Sequence, residues 1–313
     1  MQNEFDILVI GSLNMDLVVT TPRFPKPGET LRGTGFQHHC GGKGANQAYA
    51  AATLGAKVAM MGRVGADSFG ESLRHNLETR GVDTALTLNA PGVPTGTALI
   101  TVDEEGENQI IIVPGANAQL TARCLSDREA NAIQVAKLIL LQLEIPSETV
   151  EKAIQQAQES AGELILDPAP ATKLPPAWLS KIDYLTPNLS ELSLLTGRDL
   201  NPNAPLKEIA LAARILCEQG ARCIIVKLGP RGALRVDERD SEIYPAREVT
   251  SLDSTAAGDS FNAAFAVSLS KGLPIEQAIP FAVHAATLSV TKSGAQSSMP
   301  SLSEVEAFIA KQT

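Results

Sequence analysis

Lys137-Leu138-Ile139-Leu140-Leu141-Gln142-Leu143 is an apolar run that ends at an acid, Glu144. It is far too short to cross a bilayer and reads as a strand buried inside a sheet. Comparable runs occur at Asp6 to Ile10, Val58 to Gly62, Glu163 to Leu166, Tyr184 to Thr186 and Cys223 to Leu228, with helical patterns between most of them. That alternation specifies an α/β fold with a mainly parallel central sheet and helices on both faces. In such sheets ligands gather beyond the carboxyl ends of the strands. Gly11, Glu144, Asp167, Asn188 and Gly229 all fall at that edge, as they would in an active site shared among several loops. Two segments, about 13–39 and 95–117, break the alternation and read as short strands without an intervening helix.

The chain has 313 residues, ample for a buried core, and no linker divides it. We expect one α/β unit over 1–313, with the Pro-rich piece from Asp167 to Pro176 as a rigid loop. The formal charge of -9 carries no basic footprint, which argues against nucleic acid or an anionic membrane as partner and for a small substrate. Cys40, Cys124, Cys217 and Cys223 form no CxxC pair, and Glu4 and Asp6 stand where a signal peptide needs a cationic, then apolar, start. Both features point to a reducing cytoplasm. His38, His39, His75 and His284 show no metal-ligand spacing; on a strand, His38 and His39 would point to opposite faces.

The chemistry concentrates in Asp253-Ser254-Thr255-Ala256-Ala257-Gly258-Asp259-Ser260-Phe261. Small residues there run into a helix that we expect to be amphipathic, with Phe261, Phe265 and Leu269 on its core face. The amides of Ala256 to Asp259 would lack helical acceptors, so they and the helix dipole favour a phosphate group. Asp259 stands where a general base could take the proton of an attacking hydroxyl, although a favourable charge in a helix's first turn is the plain alternative.

Near the other end of the chain, Gly41-Gly42-Lys43-Gly44-Ala45-Asn46 precedes a small-residue helix, Gln47 to Leu54, closed by Gly55. This is neither nucleotide fingerprint: Gly44 stands where a Walker loop needs Ser or Thr, and Gln47 where the dinucleotide motif needs Gly. What it offers is close backbone approach, a cation at Lys43 and a two-way hydrogen-bonder at Asn46. Asn14 and Asp16, two apart in an extended segment, share a face that suits sugar hydroxyls or simply water. Asn188-Leu189-Ser190-Glu191 reads by itself as a helix cap.

The order and separation of the two glycine-rich motifs resemble the ribokinase-like family of carbohydrate kinases, and the resemblance covers nearly the whole chain. It extends to Gly11-Ser12-Leu13-Asn14-Met15-Asp16, Pro27-Gly28-Glu29-Thr30, Gly65-Ala66-Asp67 with Gly70, Pro114-Gly115-Ala116-Asn117, Thr186-Pro187-Asn188 with Glu191, Lys227-Leu228-Gly229 with Gly232, and Gly294-Ala295-Gln296. One departure is Ala256, where the family more often has Gly; an Ala still donates its amide.

The resemblance implies ATP-dependent phosphorylation of D-ribose at its 5-hydroxyl, giving D-ribose 5-phosphate, with Asp259 as base. It implies a sugar group of Asn14, Asp16, Gly42, Lys43, Asn46 and Glu144. For ATP it implies Asn188, Lys227, Gly229, Gly232, the turn Ala256, Ala257 and Gly258, and His284 against adenine. Mg2+ would be ordered through water by Glu191. K+ would sit at Asp253 and the main-chain oxygens of Thr255, Ser289, Lys292 and Gly294, near Ser298. The two strand-rich segments would form a small β-sheet lid that clasps its copy in a homodimer, an edge hairpin being the alternative. Other acceptors within the family are deoxyribose, fructose and adenosine, the last two disfavoured by Lys43. A sensor that kept the fold and lost the chemistry is the rival of another class.

Overall fold

A computed structural model describes residues 5–311, so Glu4 lies outside the described part. In chain order the elements are β1 (Ile7–Ile10), β2 (Asn14–Thr20), β3 (Gly35–Gly41), α1 (Lys43–Thr53), β4 (Val58–Gly65), α2 (Ser68–Glu78), β5 (Asp83–Ala90), β6 (Gly96–Val102) and β7 (Asn108–Val113). Next come α3 (Arg128–Val135), β8 (Leu138–Leu141), α4 (Ser147–Gln158), β9 (Glu163–Leu166), α5 (Pro176–Leu179), β10 (Tyr184–Leu185), α6 (Leu189–Thr196) and α7 (Leu206–Glu218). The chain finishes with β11 (Cys223–Lys227), β12 (Ala233–Val236), β13 (Ser241–Tyr244), α8 (Ala257–Ser270), α9 (Ile275–Ser289) and α10 (Leu302–Ala310).

Among the described residues the strands form a nine-stranded sheet, ordered β13-β12-β11-β10-β9-β8-β1-β4-β5, and a four-stranded sheet, ordered β3-β2-β6-β7. From β5 to β11 all neighbours in the large sheet are parallel; only β12 and β13 run antiparallel. Every residue of β1 and β8 is buried, because helices cover both faces. Alternate residues serve different layers. Leu8, Ile10, Ile139 and Leu141 pack with α3, α4 and α7, whereas Ile7, Val9, Leu138 and Leu140 pack with α1, α8 and α9. The expected α/β class and parallel core are therefore present. Strand β5 and the short strands β12 and β13 are additions that sequence pattern did not assign.

Two expectations are corrected. The helix expected from Gln47 begins at Lys43, because the Asn46 amide already donates to the Gly42 carbonyl at 2.8 Å. Gly42 has φ 89°, a conformation that places the glycine-rich run at the helix's mouth rather than in a loop. Helix α8 is not amphipathic: it is buried continuously from Asp259 to Ser268. Ala263, Ala264 and Ala266 leave room for neighbours on every side, while Phe261 and Phe265 stack at 6.3 Å and Phe265 meets Tyr184 edge-on at 5.1 Å.

The four-stranded sheet arises from the two segments that broke the alternation. Its β2 leaves the large sheet through Gly11 to Leu13 and pairs antiparallel with β3 and parallel with β6. Among the described residues no helix is long and apolar enough to cross a membrane.

Candidate active site

Side chains from the start of α1 grip the acid at the start of α8. Asn46 Nδ2 donates to Asp259 Oδ2 at 3.0 Å and Gln47 Nε2 donates to Asp259 Oδ1 at 3.0 Å. Asp259 is 5% exposed. Burial pushes its carboxyl up to about 6; Lys43 opposes the rise, Asp167 adds to it, and the two amide bonds favour the anion. A carboxyl so placed is ionised at neutral pH yet basic enough to accept a proton.

Around it lie more charges of both signs. Lys227 Nζ bonds Asp167 Oδ1 at 2.8 Å in a pair that is nearly excluded from water. Burial would lower the Lys43 ammonium, but Asp259, Asp167, Glu144 and Glu191 hold it above the usual lysine range. Asp16 is pushed up to about 7 by burial, with Glu144 and Asp259 contributing. Glu144 caps β8 as expected, accepting from Ser12 Oγ at 2.5 Å and from the Lys43 amide at 3.3 Å.

Asn14 is buried and its Oδ1 accepts from Asn117 Nδ2 at 2.8 Å, leaving its own Nδ2 as a donor. Asn117 also bonds both backbone groups of Leu13, so it fixes the entry to β2. A cavity of about 380 Å³, lined by Asn14, Asn117, Glu144, Ile112, Leu143 and Pro170, lies where β7 overhangs the large sheet. The expected sugar residues thus divide: Asn14 and Glu144 line the cavity, Asp16 and Lys43 adjoin Glu144, Gly42 lies against the backbone of Ser12 to Asn14, and Asn46 spends its amide on Asp259 and Gln296. A larger groove of about 840 Å³ lies at the opposite ends of the strands, near Lys137 and Lys271, away from Asp259.

The turn before α8 is built as expected, with one correction. The Ala257 amide is not free; it donates to the Ser254 carbonyl at 3.2 Å. The amides of Ala256, Gly258 and Asp259 make no backbone hydrogen bond. Ala256 adopts φ 58°, ψ 15°, a left-handed conformation that costs an alanine about 1 kcal/mol. A Cβ on Gly258 would lie 3.4 Å from Lys227 Nζ, so this turn and the lysine border the same space.

The remaining nucleotide candidates sit at the same end of the sheet. Gly229 (φ 58°) and Gly232 (φ 92°) make the turn after β11, closed by Leu228 N donating to the Gly232 carbonyl at 2.8 Å. Asn188 and Glu191 form a full capping box on α6, with Asn188 N donating to Glu191 Oε2 at 2.7 Å and Glu191 N to Asn188 Oδ1 at 2.8 Å. Burial raises the Glu191 carboxyl, against the pull of Lys227. His284 bonds the Pro280 carbonyl at 2.6 Å and packs edge-on against Phe308 at 5.8 Å, the arrangement of a packed helical histidine.

Asp253 ties two loops together, accepting from Thr255 N at 2.9 Å and from Gly294 N at 2.8 Å. Burial opposes its ionisation, but these bonds hold its carboxyl below the ordinary value. The carbonyls of Thr255, Lys292 and Gly294 accept no backbone hydrogen bond, whereas Ser289 O accepts from Lys292 N at 3.2 Å and Ser298 Oγ donates to the Ala295 carbonyl at 2.7 Å. Free carbonyls beside a carboxylate are the donor set that a monovalent cation requires. Among the described residues no three His, Cys, Asp or Glu side chains converge to hold a metal by themselves.

Asp167 lies at the sheet edge where the sequence pattern placed it, but no role for Gln47, Gln142, Asn117 or Gln296 follows from that pattern, although Asn117 and Gln296 lie in quoted motifs. The signal that could have revealed Gln142 is its place as the one polar residue in the run Leu138 to Leu143.

A buried, hydrogen-bonded carboxylate, unpaired amides at a helix start and two nearby ammonium groups are the kinds of group that phosphorylation of an alcohol needs. Comparison with known proteins agrees. The model of the pfkB family of carbohydrate kinases matches residues 4–302. The ribokinase of Bacillus subtilis (strain 168) is 42% identical over 308 residues, covering 97% of this chain and 99% of the relative. The deoxyribokinase of Salmonella typhi is 40% identical over 306 residues, covering 97% and 98%. The structure of Arabidopsis thaliana ribokinase complexed with ribose and ATP superposes with a TM-score of 0.91 at 34% identity, covering 97% of this chain and 98% of that one. A match of this extent, on a site with these groups, makes the chain a member of the pfkB family of carbohydrate kinases and its chemistry phosphotransfer.

Proposed function

We propose that the protein transfers the terminal phosphoryl group of ATP to the 5-hydroxyl of D-ribose, giving D-ribose 5-phosphate and ADP. The observation that carries this reading is Asp259, buried in the first turn of α8 with both oxygens fixed by α1. Ribose would occupy the cavity, with the Asn14 Nδ2 donor and the Glu144 and Asp16 carboxylates taking its hydroxyls, and with Gly42, Lys43 and Asn46 at its far side. Asp259 accepts the hydroxyl proton as the new O–P bond forms. The amides of Ala256 and Gly258, with Lys43 and Lys227 nearby, stabilise charge on the transferring group. Ala257 keeps the turn closed. ATP would lie over Asn188, Lys227, Gly229 and Gly232, its adenine towards His284.

Bound with the nucleotide, Mg2+ would neutralise phosphate charge, and Glu191 is the residue to order its water. K+ held by Asp253 and the carbonyls of Thr255, Ser289, Lys292 and Gly294, with Ser298 nearby, would stiffen the phosphate turn from behind. The four-stranded sheet serves as the lid. Phe36, Leu99, Ile110, Ile111, Ile112 and Val113 leave apolar side chains exposed on β3, β6 and β7, and Ile112 lines the cavity while Ile111 points the other way along β7. That outer face is the surface for a second copy.

Replacing Asp259 with Asn removes the proton acceptor at nearly constant shape. Turnover in an ADP-release assay with ribose is expected to fall at least about 10²-fold while ribose still binds. Wild-type turnover in Asp259→Asn would take the base role from this residue.

The deoxyribokinase relative makes the 2-hydroxyl the decisive question of specificity. A buried donor left without a partner costs roughly 1–3 kcal/mol, so ribose is expected to exceed 2-deoxyribose in kcat/KM. Asn14→Ala should narrow the gap by harming ribose. A wild-type enzyme that prefers deoxyribose, or shows no preference, would leave a kinase but not a ribose kinase.

Potassium is expected to raise turnover well above that in tetramethylammonium buffer, and Asp253→Ala to blunt the response. Equal rates in the two salts would dismiss the cation site. Sedimentation at micromolar concentration is expected to give a dimer, and a fully active monomer would contradict the lid contact.

A further inference from the structure

Gln47 is completely buried and stands at the junction of four elements. Its Nε2 donates to Asp259 Oδ1 at 3.0 Å and to Asp167 Oδ2 at 3.1 Å, which uses both of its N–H bonds. Its Oε1 accepts from Gln142 Nε2 at 2.7 Å, and Gln142 is itself completely buried. The two carboxylates, which as anions can only accept, set which end of the Gln47 amide carries the nitrogen, and Gln142 meets the other end. The chain continues on both sides. Asp167 Oδ1 holds Lys227 at 2.8 Å, and Asp259 Oδ2 takes Asn46 Nδ2, whose Oδ1 in turn accepts from Gln296 Nε2 at 3.1 Å.

We propose that Gln47 is a positioning residue for the base: one amide, aligned by Gln142, separates Asp259 from Asp167 and holds Asp259 in the orientation and ionised state that proton abstraction needs. The inference rests on the reading of Asp259 as the base. Two buried carboxylates resist simultaneous ionisation, and a shared pair of N–H donors offsets that by bonding the charged form of each. Without the amide, one carboxyl gains by taking a proton and donating it to the other. The charged groups facing Asp259 are Lys43 from α1, Asp167 from the loop after β9 and Asp16 from β2. Glu144, Glu191 and Lys227 lie one neighbour further out, around Lys43 and Asp167. Loss of the Gln47 donor therefore leaves Lys43 and Asn46 as the remaining support of the anion.

The test is the single-turnover rate of phosphoryl transfer, with saturating ribose and Mg·ATP, measured from pH 5 to 9 in wild type, Gln47→Leu and Gln142→Met. In Gln47→Leu the acid limb is expected to move up by about one pH unit or more, with the rate at high pH recovering to within several-fold of wild type and KM for ATP changing less than about threefold. Gln142→Met, which keeps the Gln47 amide but removes its alignment, should shift the limb in the same direction by less. It also serves as the readout should Gln47→Leu not fold. A rate lowered equally at every pH, with the limb unmoved in both variants, means that Gln47 only packs the core and overturns the proposal. Should Asp259→Asn retain wild-type turnover, the base assignment itself falls; an inactive Asp259→Asn with an unmoved limb in Gln47→Leu removes this inference alone.

Discussion

A carboxylate with 5% exposure persists as an anion only where its oxygens are bonded, and at Asp259 that requirement dictates where α1 must lie. Asn46 and Gln47 can reach it because α1 starts hard against the end of β1. A Cβ on Gly44 would stand 2.8 Å from the Gly11 backbone, and one on Gly42 2.7 Å from the Asn14 amide nitrogen. No rotamer relieves a clash with backbone, so these glycines set the approach. Gly11 in turn leaves the space that Gln142 occupies. The glycine-rich motif thus acts as a spacer that brings two amides to the base of a helix far away in sequence.

The same compact arrangement shapes the electrostatics. Asp16, Glu144, Asp167, Glu191 and Asp259 share the end of the sheet with Lys43 and Lys227. Burial and neighbouring carboxylates raise the proton affinity of Asp16, Glu191 and Asp259, while Lys43 remains charged because acids surround it. On its own such a site would repel a polyphosphate. On the proposed reading, the unpaired amides at Ala256 and Gly258, the two ammonium groups and a divalent ion arriving with the nucleotide would reverse that sign at the phosphates, leaving the carboxylates of the other end for sugar hydroxyls.

Much of this was legible in the residues themselves. The run Leu138 to Leu141, and its counterparts at β1, β4, β9 and β11, specified the parallel core because buried strands need no polar face. β12 and β13 escaped notice because Arg235, Glu242 and Ser241 give them the mixed character of loops. Helix α8 was expected to have a wet face because Ser260, Asn262 and Ser268 look polar, yet α1 and α9 enclose it. At the site, residue type picked out Asp259, Lys43 and Asn14 as candidates. It could not show that Asn46 and Gln47 bond Asp259, or that Asn117 bonds Asn14, since those contacts join residues more than 100 positions apart.

The account depends on Asp259 titrating as a buried, hydrogen-bonded carboxylate. Carboxylate infrared spectra of the enzyme recorded across pH 3 to 9, taken as the difference between wild type and Asp259→Asn, isolate that one group. A band that appears with a midpoint near pH 6, above the ordinary aspartate value of about 3.9, is the expected result. A midpoint at or below about 4 would mean that Asp259 is solvated and would contradict the buried clamp on which the rest is built.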